Sequence, residues 1–103
     1  MQTPNTPAVF NFDSHTVRTV LIEDQPWFVA TDVCEALGIQ NVTQAVARLD
    51  DDERSMFNIG RQGEACVINE SGLYNLVLGS RKPEAKRFKK WVTAEVLPAI
   101  RKT

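Results

Sequence analysis

The chain begins with three short runs of apolar, β-branched and aromatic residues, and polar turn-forming residues separate these runs. Residues 1–7 precede them, contain two prolines and show no periodicity, so we expect a flexible N-terminal tail. The runs are Val9–Phe12, Val17–Ile22 and Trp27–Ala30. Because their links are too short for a parallel crossover, the pattern predicts strands joined as antiparallel hairpins.

After these strands the apolar residues recur at the three- and four-residue spacing of helices. Thr31 or Asp32 can cap the first helix, since Asp32 and Glu35 have the spacing of a capping box, and Gly38 can end it in the left-handed conformation. Asn41 can cap a second helix whose apolar face runs to Leu49. The sequence therefore predicts two short helices in succession.

A second hairpin and a third helix are predicted next. Residues 55–59 and 65–68 read as two strands around a glycine-containing turn. Asn69 or Ser71 can cap the following helix, and Gly79 can close it. The expected fold class is therefore α+β, with antiparallel hairpins packed against several helices.

The last helix is predicted to begin at Pro83, because a proline at the first helical position loses no backbone hydrogen bond. Pro98 should kink or end this helix near Leu97. Leu97 and Ile100 depart from its main apolar stripe. We expect them either to form an association surface, for a homodimer or for a following domain, or to be turned into the core by the kink. The stripe itself comprises Ala85, Phe88, Val92, Val96 and Ala99.

Charge is divided unevenly along the chain. Residues 81–102 carry eight basic and two acidic residues, a balance of +6, whereas residues 1–80 carry four basic and eleven acidic residues, a balance of −7. A local cationic segment on a chain of net charge −1 points to an anionic partner, and nucleic-acid backbone is the first candidate. The predicted contacts to double-stranded DNA, through a long basic C-terminal helix, are Arg81, Lys82, Lys86, Arg87, Lys89 and Lys90.

Arg81 and Arg87 are the better candidates for reading bases, since a guanidinium can bind guanine bidentately. The alternative for the whole set is an ordinary solvated helix face. Trp91 borders the basic residues and can serve as core packing or as a stacking platform, whereas Trp27, Phe28 and Phe88 are expected in or near the core.

The first two helices also invite a helix-turn-helix interpretation, which the residues disfavour. Gln44 falls where the second helix needs an apolar residue, and Arg48 is its one cation, close to an acidic run. Two helices packing on a sheet are favoured over this motif. The polar residues of the region remain a secondary contact set, namely Gln40, Asn41, Thr43, Gln44 and Arg48.

No constellation for catalysis or metal binding is apparent in the sequence. The acidic run Asp50–Glu53 lacks the alternate ligands, glycine and distal glutamate of a calcium loop, so a solvated loop is expected. His15 has no paired nucleophile, and Glu70 reads as a helix-start residue. We expect Cys34 and Cys66 to be reduced thiols that pack as small apolar residues. We expect no enzyme, no metal and no cofactor.

Several separate motifs resemble the BRO family N-terminal domain, which occurs in prophage antirepressors and in baculovirus repeated-ORF proteins. They are residues 27–38 (WFVATDVCEALG), 67–74 (VINESGLY), 89–92 (KKWV) and 95–102 (EVLPAIRK). The resemblance implies a small α+β domain, a DNA-binding or antirepressor role in transcription regulation, and a second domain that follows. Residues 8–103 are then a single domain at the N-terminal part of a longer protein.

Two functions stay open at this point. In the first, the domain is a phage regulatory module that binds double-stranded DNA through the basic C-terminal helix. In the second, it acts as an antirepressor by binding a phage repressor protein, with its acidic part as the contact surface and no direct DNA contact. Without a signal peptide or an apolar run long enough to span a bilayer, we expect no membrane partner and a cytoplasmic location in a bacterial host.

Overall fold

The computed structural model describes residues 8–12, 14–58, 63–80 and 82–101, with the backbone alone for residues 100 and 101. The predicted tail 1–7 and the candidate contact Arg81 lie outside the described residues. The elements are β1 (Ala8–Phe12), β2 (His15–Ile22), β3 (Gln25–Val29), α1 (Ala30–Leu37), α2 (Val42–Ala47), a 3₁₀ turn (Asp51–Glu53), β4 (Arg54–Asn58), β5 (Glu64–Asn69), α3 (Glu70–Gly79), α4 (Pro83–Trp91), a π-helical turn (Val92–Val96) and α5 (Leu97–Arg101).

The strands form one antiparallel sheet in the order β1-β2-β3-β5-β4. Each predicted hairpin is present, and the pairing of β3 with β5 joins the two hairpins, with Phe28 opposite Ile68. Helices α1 and α3 pack on the sheet, and α4 packs against both helices, around a single apolar core. The α+β prediction is confirmed.

Each helix contributes apolar residues to the core, and from the predicted stripe these are Ala85, Phe88, Val92 and Val96. Phe28 and Phe88 are fully buried, Trp91 is half-buried against the core, and Cys34 lies within it. Cys34 and Cys66 are free thiols, and burial raises the pKa of Cys34 to about 11. A thiol with so high a pKa is a poor nucleophile at neutral pH, so its environment suits packing rather than reactivity.

The start of α1 differs from the prediction. Neither Thr31 nor Asp32 caps the helix, because both lie inside it and the cap position is Val29, which makes no side-chain cap bond. The Asp32 carboxylate instead accepts hydrogen bonds from the Arg18 backbone N–H at 3.0 Å, from Nε at 2.8 Å and from Nη2 at 3.0 Å. Strands β2 and β3 are paired only from Thr19 onwards. The Arg18 N–H therefore lies beyond the end of this ladder, and Asp32 supplies its hydrogen-bond acceptor. The other end is as predicted, with Gly38 left-handed at φ 75°.

The helix caps that rest on asparagine are confirmed. Asn41 accepts from the Gln44 N–H at the start of α2, and Asn69 accepts from the Gly72 N–H at the start of α3. Gly79 does not close α3 in a left-handed conformation. It is the last helical residue, and the cap is Ser80, whose N–H donates to the Val77 carbonyl.

The acidic run is a solvated loop only in part, so that prediction was wrong for Glu53. Its side chain is just 6% exposed and accepts from the Ser71 hydroxyl at 2.6 Å, the Asn75 amide at 2.8 Å and the Asp50 N–H at 3.0 Å. These hydrogen bonds, with that from Ser71 the strongest, lower the pKa of Glu53. The carboxylate therefore ties the chain before β4 to α3.

This network predicts a specific loss of stability in acid. Because the pKa of Glu53 is lower in the folded state, its contribution is full above the unfolded pKa of about 4.3 and is lost as pH falls through the folded value. Glu53→Gln should therefore be less stable at neutral pH, and its melting temperature should fall less between neutral and acid pH. Exposed Glu64 offers a control, Glu64→Gln, which should keep the wild-type pH profile. Parallel profiles for wild type and Glu53→Gln would contradict the assignment.

The helix does not end at Pro98. A π-helical turn at Val92–Val96, in which the Leu97 N–H donates to the Val92 carbonyl, leads directly into α5. One extra residue in this turn shifts the angle of those that follow. Leu97 is therefore buried at 4% exposure, while Ala99 is exposed and leaves the predicted stripe. Of the two predicted positions for Leu97, the structure confirms the one in the core and not the one at an association surface. The side chain of Ile100 lies outside the described residues.

Candidate nucleic-acid interface

Helix α4 separates its apolar and cationic residues onto opposite sides. Pro83 occupies the first turn as predicted, and Ala85 and Phe88 are buried against the core. We call the exposed basic residues of this region the cationic ridge, and they are Lys82, Lys86, Arg87, Lys89 and Lys90. Since Lys86 and Lys90 lie two residues either side of Phe88, helical geometry sends them away from the core.

The lysines at the top of the ridge are free to take an external partner. The ammonium groups of Lys86 and Lys90 make no hydrogen bond or ion pair with any described residue. Lys89 lies on the α3 side of the ridge, with its Nζ 6.0 Å from the centre of the Tyr74 ring. Positive charge that is not neutralised within the protein is available to an anion.

Arg87 lies on the other flank, over an aromatic cluster. Its guanidinium carbon is 5.4 Å from the centre of the Phe12 ring, and Phe12 packs edge-on against Phe88 with ring centres 5.2 Å apart. Trp91 contacts Phe10, Phe12 and Phe88, with ring centres 5.2–6.4 Å apart. Trp91 therefore packs on the core side, and Arg87 is held beside the sheet edge rather than at the top of the ridge.

Lys82 connects the ridge to the predicted secondary contact set. Its Nζ donates to the Gly38 carbonyl at 2.9 Å, where a cation complements the C-terminal end of α1. Gly38 directly precedes the turn that leads to Gln40 and Asn41, so Lys82 reaches the chain segment just before α2. The sequence pattern could not predict this contact between residues 44 positions apart.

The secondary set is exposed, but part of it is already engaged. Asn41 and Gln44 bond to each other at the start of α2, whereas Gln40, Thr43 and Arg48 are exposed. Helix α2 has only six residues and is about 9 Å long. So short a helix presents few side chains to a major groove, which favours the packing interpretation over a helix-turn-helix.

A groove between α3 and α4 was missed by sequence reasoning. It has a volume of about 680 Å³ and is lined by Val77, Leu78, Lys82, Ala85, Lys86 and Lys89. Leu78 is 77% exposed and is the most exposed large apolar residue in the part of the chain that the structure describes. The available sequence signal for the groove was the position of Leu78 on α3, outside the face that carries the buried residues.

Two further features bear on function. Across the described ranges, no group of three or more histidine, cysteine, aspartate or glutamate residues is arranged to hold a metal ion. Likewise, none of the helices built from described residues combines the length and apolarity needed to cross a membrane.

Comparison with known proteins identifies the family to which this domain belongs. Residues 16–98 match the BRO family, N-terminal domain, and the chain belongs to that family. Family membership supports a regulatory module of phage and viral type. No solved structure matches significantly.

Relatives occur in a bacterium and in viruses. The chain is 41% identical over 104 residues to a Haemophilus influenzae protein named "Uncharacterized protein", covering 93% of this chain and 50% of that protein. It is 30% identical over 116 residues to Bro-N domain-containing protein 201R of Invertebrate iridescent virus 6, covering 89% of this chain and 28% of the relative. The chain therefore spans half or less of the length of these relatives.

Proposed function

We propose that this domain is a binding module, not an enzyme, and that it binds double-stranded DNA through the cationic ridge. The observation that carries the proposal is the placement of Lys86, Lys89 and Lys90 on the exposed side of a helix whose other side is anchored in the core. A rigid row of unneutralised lysines is suited to the regular spacing of backbone phosphates. Family membership is a second, independent support.

The chemistry of the ridge indicates the kind of binding. Lysine ammonium groups neutralise phosphates and give affinity with little sequence choice, whereas base reading needs side chains that reach a groove edge. Arg87 is held over Phe12 and Lys82 donates to Gly38, so the three remaining lysines make the principal phosphate contacts. Binding by this domain alone is therefore weak and mostly independent of sequence.

A titration against random duplex DNA at several salt concentrations tests this function. If three to five cations contact phosphates, the slope of log affinity against log salt should be roughly −3 to −4.5. Binding to random duplex and to any chosen site should differ little. Absence of binding at low salt would contradict the proposal and favour the alternative, in which the domain contacts a repressor protein.

A further inference from the structure

The groove between α3 and α4 has a composition that phosphate binding does not account for. Beside its three lysines it carries an apolar floor that includes Val77, Ala85 and the highly exposed Leu78. A phosphate backbone gains nothing from an exposed leucine. A partner that combines an apolar residue with carboxylates would use both features, because burial of Leu78 and pairing of the lysines would then occur together.

The same chain presents such a combination at the turn between β2 and β3. We call Glu23 and Asp24 the acidic tip. Both are exposed, and neither side chain forms an ion pair or hydrogen bond with a described residue. Leu21, close before the tip, is 47% exposed. The tip is the two-residue loop of a hairpin, with Ile22 opposite Gln25.

The other acidic segment is less suited to this role. Asp51 is ion-paired with Arg54 at 3.0 Å. Glu53 is buried in its own network. The acidic tip, in contrast, combines two carboxylates that have no partner among the described residues with an apolar neighbour, Leu21.

We infer that the groove of one copy receives the acidic tip of a second copy of this chain. In that contact Glu23 and Asp24 pair with Lys86 and Lys89, and Leu21 meets Leu78. The contact is heterologous, so each copy keeps one free groove or one free tip and association proceeds head to tail. The surfaces are small and charged, so association is weak, depends on concentration and declines with salt. The inference does not rest on DNA binding.

Sedimentation velocity of the intact chain over a wide concentration range, at low and at high salt, tests the association. At low salt the weight-average sedimentation coefficient should rise with concentration, and at high salt the rise should largely disappear. A strictly monomeric protein at the highest concentration and lowest salt would overturn the inference and leave the groove to another acidic partner.

Charge reversal identifies the two surfaces. Glu23→Lys/Asp24→Lys and Lys86→Glu/Lys89→Glu should each be monomeric alone, because like charges then meet at the junction. A mixture of the two should associate again, since each tip then faces a groove of opposite charge. Association of either variant alone at the wild-type level, or no recovery on mixing, would overturn the pairing.

Two variants that introduce no charge, one in the tip and one in the groove, distinguish loss of this contact from loss of folding and from general charge attraction. Both tip residues have positive φ, 53° and 65°, so Glu23→Asn/Asp24→Gly places the preferred residues in this turn. That variant should melt no lower than wild type and should still lose association. At protein concentrations where wild type is monomeric, it should bind duplex DNA as wild type does. Leu78→Ser should weaken association, whereas Met56→Ser, at an exposed apolar position on edge strand β4, should not. Equal effects of these two serine variants would rule out the groove.

Discussion

Replacing Phe88 by alanine is expected to lower the free energy of unfolding by about 3–5 kcal/mol. Phe88 is 0% exposed, and its ring packs between Phe12 and Trp91 with ring centres 5.2 and 5.5 Å away. The substitution removes the central side chain that anchors α4 and leaves a cavity. Since a small domain has a total stability of about 5–15 kcal/mol, this is a large fraction of the whole.

Thermal unfolding measures this effect. For a domain of this size, each kcal/mol corresponds to about 4–8 °C, so the melting temperature should fall by at least about 12 °C. Lys86→Ala, on the exposed side of the same helix, is the matched control and should change stability by less than about 0.5 kcal/mol. Similar melting temperatures for Phe88→Ala and wild type would mean that α4 buries a different face.

The second large effect is expected on DNA binding by the triple variant Lys86→Ala/Lys89→Ala/Lys90→Ala. Removing three phosphate contacts should make the salt dependence shallower by about 2.7 in the log–log slope, at about 0.9 for each contact. Affinity at low salt should fall to a small remainder carried by Arg87 and Lys82. The fold should be retained, because the three side chains are exposed and alanine is the best helix former.

Arg48→Ala is the control for this variant, because Arg48 is exposed and belongs to the secondary contact set on the other side of Gly38. It should leave the salt slope nearly unchanged. If Arg48→Ala lowers affinity more than the triple lysine variant does, DNA contacts α2 and the ridge is a solvated helix face.

Much of the fold could be predicted from local pattern. Alternation and tight turns predicted the hairpins, and asparagine caps predicted the starts of α2 and α3. The orientation of α4, with Phe88 toward the core, followed from the helical spacing of its apolar residues. These features depend on residues close in sequence, for which spacing alone carries the physical information.

Predictions failed where a distant partner decided the outcome. Asp32 bonds to Arg18, fourteen residues earlier, instead of capping α1. Glu53 is buried by Ser71 and Asn75 on a helix that follows two strands later. The pairing of β3 with β5 is likewise non-local. A carboxylate in a polar sequence context gives no sign of such partners.

The candidate site shows the same division. Counting charges along the sequence identified the ridge. It could not distinguish Lys86 and Lys90, whose charges are not neutralised, from Lys82, which donates a hydrogen bond to the Gly38 carbonyl. The error at Leu97 came from assuming a uniform helix, because the π-helical turn before Pro98 moves this residue inward. An exposed leucine on α3, which defines the groove, has no distinctive local pattern.

Mapping backbone amide shifts of the isotopically labelled domain during titration with duplex DNA tests the central claim most directly. Under conditions in which the chain is monomeric, the shifts should change along α4 from Lys86 to Lys90 and at the adjoining Gly38–Asn41 turn, and they should remain constant at Glu23, Asp24 and the strands around them. Perturbation centred on α2 or on the acidic segments, with α4 unaffected, would contradict DNA binding through the cationic ridge.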